Sequence, residues 1–234
     1  MKIAIMQPYF LPYLGYFHLM HSVDVFVLYD DVQYVKDGWI NRNRLLFGDA
    51  TGTVTLPVKK DRSFQPINKR CVATSWTQTR LKHLRQIDQH YRLHDNFTQG
   101  LELYREISNH GSNNLVDVLR HGLACIADYL QLDTQIVASS DIVGLTKLRG
   151  TDRVKAICHA HGATHYINAI GGRALYDKDD FKNAGIELSF VGSQFPEYDQ
   201  KRPGFVPGLS ILDMILSIVA PDERENQLRA YELV

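Results

Sequence analysis

Two periods of apolar residues divide the chain. Ile3-Ala4-Ile5-Met6 is a short unbroken apolar run, and Val25 to Tyr29 is a second; both read as buried strands. Between them Gln7 to Tyr16 is punctuated by Pro8, Pro12 and Gly15 and runs into a short helix. Strand, loop, helix and strand make a βαβ unit. Its amide, carboxylate, guanidinium and aromatic groups gather beyond the strand ends, where open parallel sheets bind ligands. Thr53 to Val58 alternates as a strand should, with Pro57 marking an edge. Lys59-Lys60-Asp61-Arg62 forms a charged turn, and Lys69 to Ala73 a further strand.

From Trp76 the period becomes that of a helix. Leu84, Ile87 and Tyr91 share one face, and Leu101, Tyr104 and Ile107 share another. The clearest apolar stripe runs from Asn113 to Leu130, through Leu115, Leu119, Leu123 and Ile126. Strands follow at Leu132 to Ala138, Thr164 to Asn168 and Ile186 to Phe190. A helix from Arg153 to His161 puts Gly162 at its C-terminal αL position. Ser210-Ile211-Leu212-Asp213 is a capping box that opens a final core helix. This order predicts an α/β fold with a mainly parallel, Rossmann-like sheet. Residues 1–234 form a single domain, with a helical insert making a subdomain at about 76–130. There is no internal repeat, low-complexity tract or linker.

Composition narrows the picture. With 234 residues, 44% hydrophobic and 22% charged, the chain is an ordinary globular protein able to bury a sizeable core. Lys+Arg and Asp+Glu are 26 each, so no bulk field favours nucleic acid or an anionic membrane, although a local basic patch is allowed. No stretch reaches the roughly 18 apolar residues of a membrane span. The apolar run after Met1-Lys2 is too short for a signal peptide. Cys71, Cys125 and Cys158 form no CxxC pair and suit a reducing compartment, so a cytoplasmic location is expected. Neither the cysteines nor the histidines supply a four-ligand set, and no structural metal is expected.

Several groups could carry chemistry. Asp30-Asp31 ends the second strand, where a carboxylate can accept from a sugar hydroxyl, bind an amine or act as a base; it can also cap the turn. His18 and His21 lie three apart on the first helix with no carboxylate or cysteine to complete a metal site, and His18 is the better acid–base candidate. If Trp39 to Arg44 is extended, Asn41 and Asn43 face one side, and Arg42 and Arg44 the other. The arginine pair can hold a pyrophosphate and Trp39 can stack on a base or sugar; a solvated edge strand is the alternative. Ser139-Ser140 follows a strand, and Gly150-Thr151-Asp152-Arg153 opens a helix. Ser139, Thr151 and Arg153 thus make an anion or nucleotide site at a helix N-terminus, unless Thr151 only caps the helix. Cys158 reads as core. Gln7, Tyr9, Asp30, Asn41 and Arg44 are expected to converge on one cleft at the carboxyl end of the first two strands.

Three separated stretches carry a resemblance. M-Q-P-Y-F-L-P-Y-L-G-Y-F from Met6, D-V-F-V-L-Y-D-D-V-Q-Y-V-K from Asp24, and W-I-N-R-N-R from Trp39 resemble the opening of the WbqC-like family of bacterial surface-polysaccharide gene clusters. Ser139-Ser140, Gly150 to Val154, His161-Gly162-Ala163, Tyr198, Gln200 and Leu209 to Asp213 fit the family's second half. One departure is Met6, where relatives carry His, so the resemblance assigns that position no catalytic role.

The resemblance implies a transferase of O-antigen or capsule biosynthesis that attaches an amino acid such as glycine, or another acyl group, to a nucleotide-linked sugar. Its donor would be a thioester, an aminoacyl-tRNA or an acyl-adenylate formed with ATP and magnesium; no membrane or general nucleic-acid partner is implied. His18, Asp30 or Asp31 would take the proton, and Arg42, Arg44 or Arg153 would hold the pyrophosphate. Gln7, Tyr9, Tyr13, Tyr16, Trp39, Asn41 and Asn43 would complete the substrate site. A second similarity concerns fold. Pro12-Tyr13-Leu14-Gly15-Tyr16 stands where HxGH nucleotidylyltransferases place P-x-H-x-G-H. Tyr13 and Tyr16 replace both imidazoles, and a phenol of pKa about 10 is neutral at pH 7, which weakens phosphate stabilisation. An adenylate-forming enzyme and a noncatalytic sugar-nucleotide-binding protein are the alternatives.

Overall fold

A computed structural model describes residues 1–61, 64–145 and 147–234 of the chain. The first βαβ unit is as predicted: β1 (Lys2–Met6), α1 (Leu14–His21) and β2 (Val25–Leu28), with Ile3 opposite Val25 and Met6 opposite Leu28 in a parallel ladder. A hairpin of β3 (Arg42–Phe47) and β4 (Ala50–Thr55) follows, then the helices α2 (Trp76–Tyr91), α3 (Phe97–Ser108) and α4 (Leu115–Tyr129). The chain returns through β5 (Gln135–Ala138), α5 (Gly150–Ala160), β6 (His165–Ala169), α6 (Lys178–Asn183) and β7 (Glu187–Ser193). It closes with α7 (Ile211–Ser217), α8 (Pro221–Leu228) and β8 (Tyr231–Leu233).

The central sheet has the order β5-β2-β1-β6-β7-β8, all parallel except β8, which runs antiparallel to β7. The chain builds outward from β1 to β2 and β5, then crosses back to place β6 on the other side of β1. That reversal makes a crevice at the carboxyl ends of the strands, the place where doubly wound sheets bind ligands. Alternation along the strands feeds two cores. Ile3, Ile5, Val25 and Val27 face α5 and α6. Ala4, Phe26 and Leu28 face the larger cluster that takes in α1, α2 to α4, α7 and the hairpin. Among the described residues no helix is long and apolar enough to cross a membrane.

Three expectations about elements change. The strand predicted at Thr53 to Val58 lies earlier, because the turn at Gly48-Asp49 pairs Phe47 with Ala50 and sets the register from there. Its ladder ends at Thr55, just ahead of Pro57, which has no N–H to donate. Lys69 to Ala73 forms no strand. Its hydrogen bonds split between two neighbours, Lys59 N donating to Cys71 O and Val72 N to Asn113 O, so no single ladder builds up. The helix opened by Ser210 is not the last, since α8 and β8 follow it. Ser210 Oγ accepts from Leu212 N at 3.2 Å, but Asp213 turns into the core instead of closing the capping box. The last residue of the predicted charged turn, Arg62, lies outside the described residues.

Candidate functional site

The carboxyl end of β2 delivers Asp30 and Asp31 side by side, and their surroundings differ. Asp30 is buried and saturated. Its Oδ1 accepts from Ser140 N at 3.0 Å, and its Oδ2 accepts from Ser140 Oγ at 2.6 Å and Asn68 Nδ2 at 3.3 Å. Ser139 Oγ stands 3.0 Å from Asp30 Oδ1 and 2.6 Å from Asp31 Oδ1, so its single proton serves one carboxylate at a time. Asp30 therefore pins the end of β2 to the end of β5, a structural use of a charged hydrogen-bond acceptor. Asp31 keeps a partly exposed edge, with its Oδ2 accepting from Arg153 Nη2.

Arg153 is the clearest revision of the sequence reading. It is buried, ion-paired to Asp31 and stacked over the Tyr29 ring at 5.1 Å, so it orients Asp31 rather than projecting as an exposed cation. Thr151 is not the cap of α5 either. The helix begins at Gly150 (φ +53°), and the residue before it, Arg149, makes no side-chain cap. Uncapped N–H groups at that end carry partial positive charge.

Asp31, Arg153, Thr151 and Arg149 line one cleft of about 740 Å³, closed on its other sides by Tyr29, Gln33, Phe64 and Tyr176. It lies over the strand ends on both sides of the order reversal: Tyr29 follows β2, and Tyr176 belongs to the loop after β6. Burial raises the Tyr29 phenol, so it remains a neutral hydrogen-bond donor. Beyond Gln33 and Phe64 lies a second cleft of about 890 Å³, which holds Asn41 and Arg42.

The remaining expected residues do not join Asp31. Gln7 gives its carbonyl to the Tyr16 hydroxyl at 3.0 Å, and Tyr9 packs on the buried Tyr16 ring. Burial raises all three phenols of Tyr9, Tyr13 and Tyr16, keeping them neutral. Tyr13 sits at the start of α1, bridged to Ser210 and near Phe195. His18 is fully buried, with Nε2 donating to Gln227 O at 2.8 Å; burial, its largest influence, lowers its pKa. It faces Phe195 and Tyr231, away from the cleft.

Trp39 to Asn41 forms a bend and turn, and the chain is a strand only from Arg42 onward, so the expected extended segment is realised in part. Asn41 accepts from Tyr34 Oη at 2.9 Å and donates to Leu56 O at 2.8 Å, while the buried Asn43 donates to Leu11 O at 2.7 Å. That last bond holds Leu11 at φ +48°, an αL conformation that a bulky residue takes only when its surroundings impose it. Arg42 and Arg44 both lie 5.8 Å from the Trp39 ring centroid, in cation–π contact with it. Arg44 also donates to Gly208 O at 3.3 Å. The five residues expected to share one cleft are therefore spread along the strand ends and the hairpin.

Sequence reasoning passed over Tyr29, Gln33, Phe64, Arg149 and Tyr176. Tyr29 and Arg149 adjoin predicted elements and were within reach of it. Phe64 and Tyr176 carry no local mark, because only the crossing of the chain brings their loops to the same rim. Among the described residues no group of three or more His, Cys, Asp or Glu side chains is placed to hold a metal ion.

Comparison with known proteins adds family and extent. The model of the WbqC-like protein family matches residues 7–225. The uncharacterized protein Rv1507c of Mycobacterium tuberculosis is 31% identical over 227 residues, which cover 94% of this chain and 96% of that protein. No solved structure matches.

Proposed function

The chain belongs to the WbqC-like protein family, and from that membership and the cleft we propose that it is a transferase that acylates a nucleotide-linked amino sugar. The observation that supports this best is the composition of the first cleft. An oriented carboxylate, Asp31, faces an uncapped helix N-terminus carrying Thr151 and Arg149, at the crevice of a doubly wound sheet. In this reading the N-terminus of α5, the Thr151 hydroxyl and Arg149 bind the sugar nucleotide's pyrophosphate. Asp31 accepts the proton of the attacking amine, while Arg153 and Ser139 hold its carboxylate in place. The sugar nitrogen forms a bond to the acyl carbon, the bond from that carbon to its carrier breaks, and the proton passes by way of Asp31 to the leaving carrier. Asp30 and His18 have positioning roles only.

An amino acid such as glycine as the acyl group, O-antigen or capsule as the destination, and a cytoplasmic setting belong to the same proposal. So does a fold relationship to HxGH nucleotidylyltransferases. Nucleotidyl transfer at the position of the HxGH histidines does not, because Tyr16 is buried and spends its hydroxyl on Gln7 O.

Calorimetric titration with UDP-, GDP- and dTDP-linked amino sugars tests the binding step, and mass spectrometry of those sugars incubated with glycyl donors tests the transfer. Binding that weakens in Thr151→Val, with turnover lost in Asp31→Asn at unchanged affinity, is expected. If no nucleotide sugar binds the parent protein, the reading fails.

A further inference from the structure

The second cleft has no part in the acyl-transfer chemistry just described, yet it is as large as the first and meets it at Gln33 and Phe64. Its charge is one-sided. Lys36, Arg42, Lys60 and Arg70 line it against two carboxylates, Asp37 and Asp61. In a chain whose 26 basic and 26 acidic residues cancel, that is a local excess of positive charge. Both guanidiniums are held in place. Arg42 donates to the Asp37 carbonyl and lies against Trp39. Arg70 donates to Lys59 O at 3.0 Å and covers the Tyr34 ring at 4.9 Å. Tyr34 is itself locked through Asn41 to Leu56 O, so the floor beneath these cations is rigid. The Arg42 guanidinium, held by a carbonyl and a ring face, keeps its charge and loses its freedom, as in a preorganised polyanion site. A merely solvated basic face would need neither the concavity nor the tethering.

We propose that this cleft binds the phosphorylated handle of the acyl donor, an adenosine-linked di- or triphosphate. Coenzyme A thioesters carry such a handle, and so does ATP when an acyl-adenylate is made in place. The proposal rests on the acyl-transfer reading and extends it. One cleft per substrate, joined at Gln33 and Phe64, lets the acyl carbon reach the sugar amine while the two polyanions stay apart. With a thioester, the new C–N bond replaces the C–S bond, and the amine proton ends on the thiolate. With ATP, the amino-acid carboxylate oxygen attacks the α-phosphorus and pyrophosphate leaves; the amine then displaces AMP from the acyl carbon.

Titration with coenzyme A and with magnesium ATP, each alone and with saturating nucleotide sugar, tests this on the full chain. One of the two is expected to bind the parent, and its identity distinguishes thioester from adenylate. Its affinity should fall by about tenfold or more in Arg42→Gln and in the Lys36→Ala/Lys60→Ala double variant, as for lost charge-assisted bonds. It should be unchanged in Thr151→Val and when nucleotide sugar is bound. The two lysines are exposed, so the double variant is expected to fold, and its melting curve checks that. Parent-like affinity in both second-cleft variants, displacement by nucleotide sugar, or no binding of either compound overturns the proposal. Failure of the transferase reading is separately visible as absence of nucleotide-sugar binding, whatever the second cleft does.

Discussion

Tyr91, at the end of α2, donates its hydroxyl to Asp213 Oδ1 in α7 at 2.6 Å, and Tyr91 Oη accepts from Leu46 N of the hairpin at 2.9 Å. Asp213 also accepts from Tyr198 Oη at 2.6 Å and Gln200 Nε2 at 2.9 Å through Oδ2. One fully buried carboxylate thus ties the helical insert, the hairpin and the C-terminal segment together. Its role is architectural, since it lines neither cleft.

Truncating this hub should be costly. Asp213→Ala removes the acceptor shared by Tyr91, Tyr198 and Gln200 and is expected to destabilise by about 3–5 kcal/mol. Tyr91→Phe orphans Leu46 N and removes one donor, for about 2 kcal/mol. Urea denaturation of both variants measures this; a loss below about 1 kcal/mol for Asp213→Ala would contradict the assignment. The pH dependence carries a further sign. Burial raises the Asp213 carboxyl, with its three donors pulling the other way. A carboxyl raised in the folded state contributes stability below its unfolded pKa and loses it as pH rises through the folded value. Asp213→Asn should remove that component of the pH profile.

Arg153→Ala should lower stability even without ligand. It breaks a pair whose side chains are 4% and 15% exposed, leaving Asp31 partly buried and uncompensated. The expected loss is about 3 kcal/mol. Asp31→Asn keeps a hydrogen-bond acceptor for Arg153 and should cost less, while abolishing turnover. Equal melting temperatures for parent and Arg153→Ala would argue against the pair.

His83 predicts acid sensitivity. Its Nδ1 meets Tyr104 Oη at 2.7 Å and its Nε2 accepts from Thr55 N at 3.4 Å, an arrangement that suits the neutral ring. Burial, with a smaller contribution from Lys82, lowers its pKa to about 4. A histidine depressed in the folded state contributes stability above its unfolded pKa and loses it as pH falls through the folded one. From an unfolded value of about 6.5, the loss grows to about 3 kcal/mol near pH 4. His83→Gln should flatten denaturation midpoints over that window.

Gly100 marks a close helix crossing. A Cβ there would stand 2.6 Å from Leu216 Cδ2 and 3.2 Å from the Leu216 backbone, where α3 meets α7. Gly100→Ala would gain about 1 kcal/mol of helix propensity in open space. The clash should win, for a net loss of about 1–2 kcal/mol seen as a lower melting temperature.

The βαβ opening, the period-3.6 stripes of α2 to α4, the mainly parallel sheet and the αL position of Gly162 were legible in the sequence. Each rests on local rules: apolar runs too short for helices, stripes of regular spacing, and glycine where the chain must turn. The extended reading of Trp39 to Arg44 held only from Arg42 onward, because Ile40 and Asn41 form a turn. Tertiary structure alone decided which polar groups are spent on the fold. Asp30 and Asp31 are chemically identical neighbours, yet Ser140 and Asn68 consume the first, while the second keeps an edge toward the cleft. Arg153 read as part of an anion site, and the crossing of the chain sets it against Asp31, 122 residues away. His18 and Tyr16 read as chemistry until packing buried them. A sequence displays its donors and acceptors, but pairing depends on distances that only the folded chain creates.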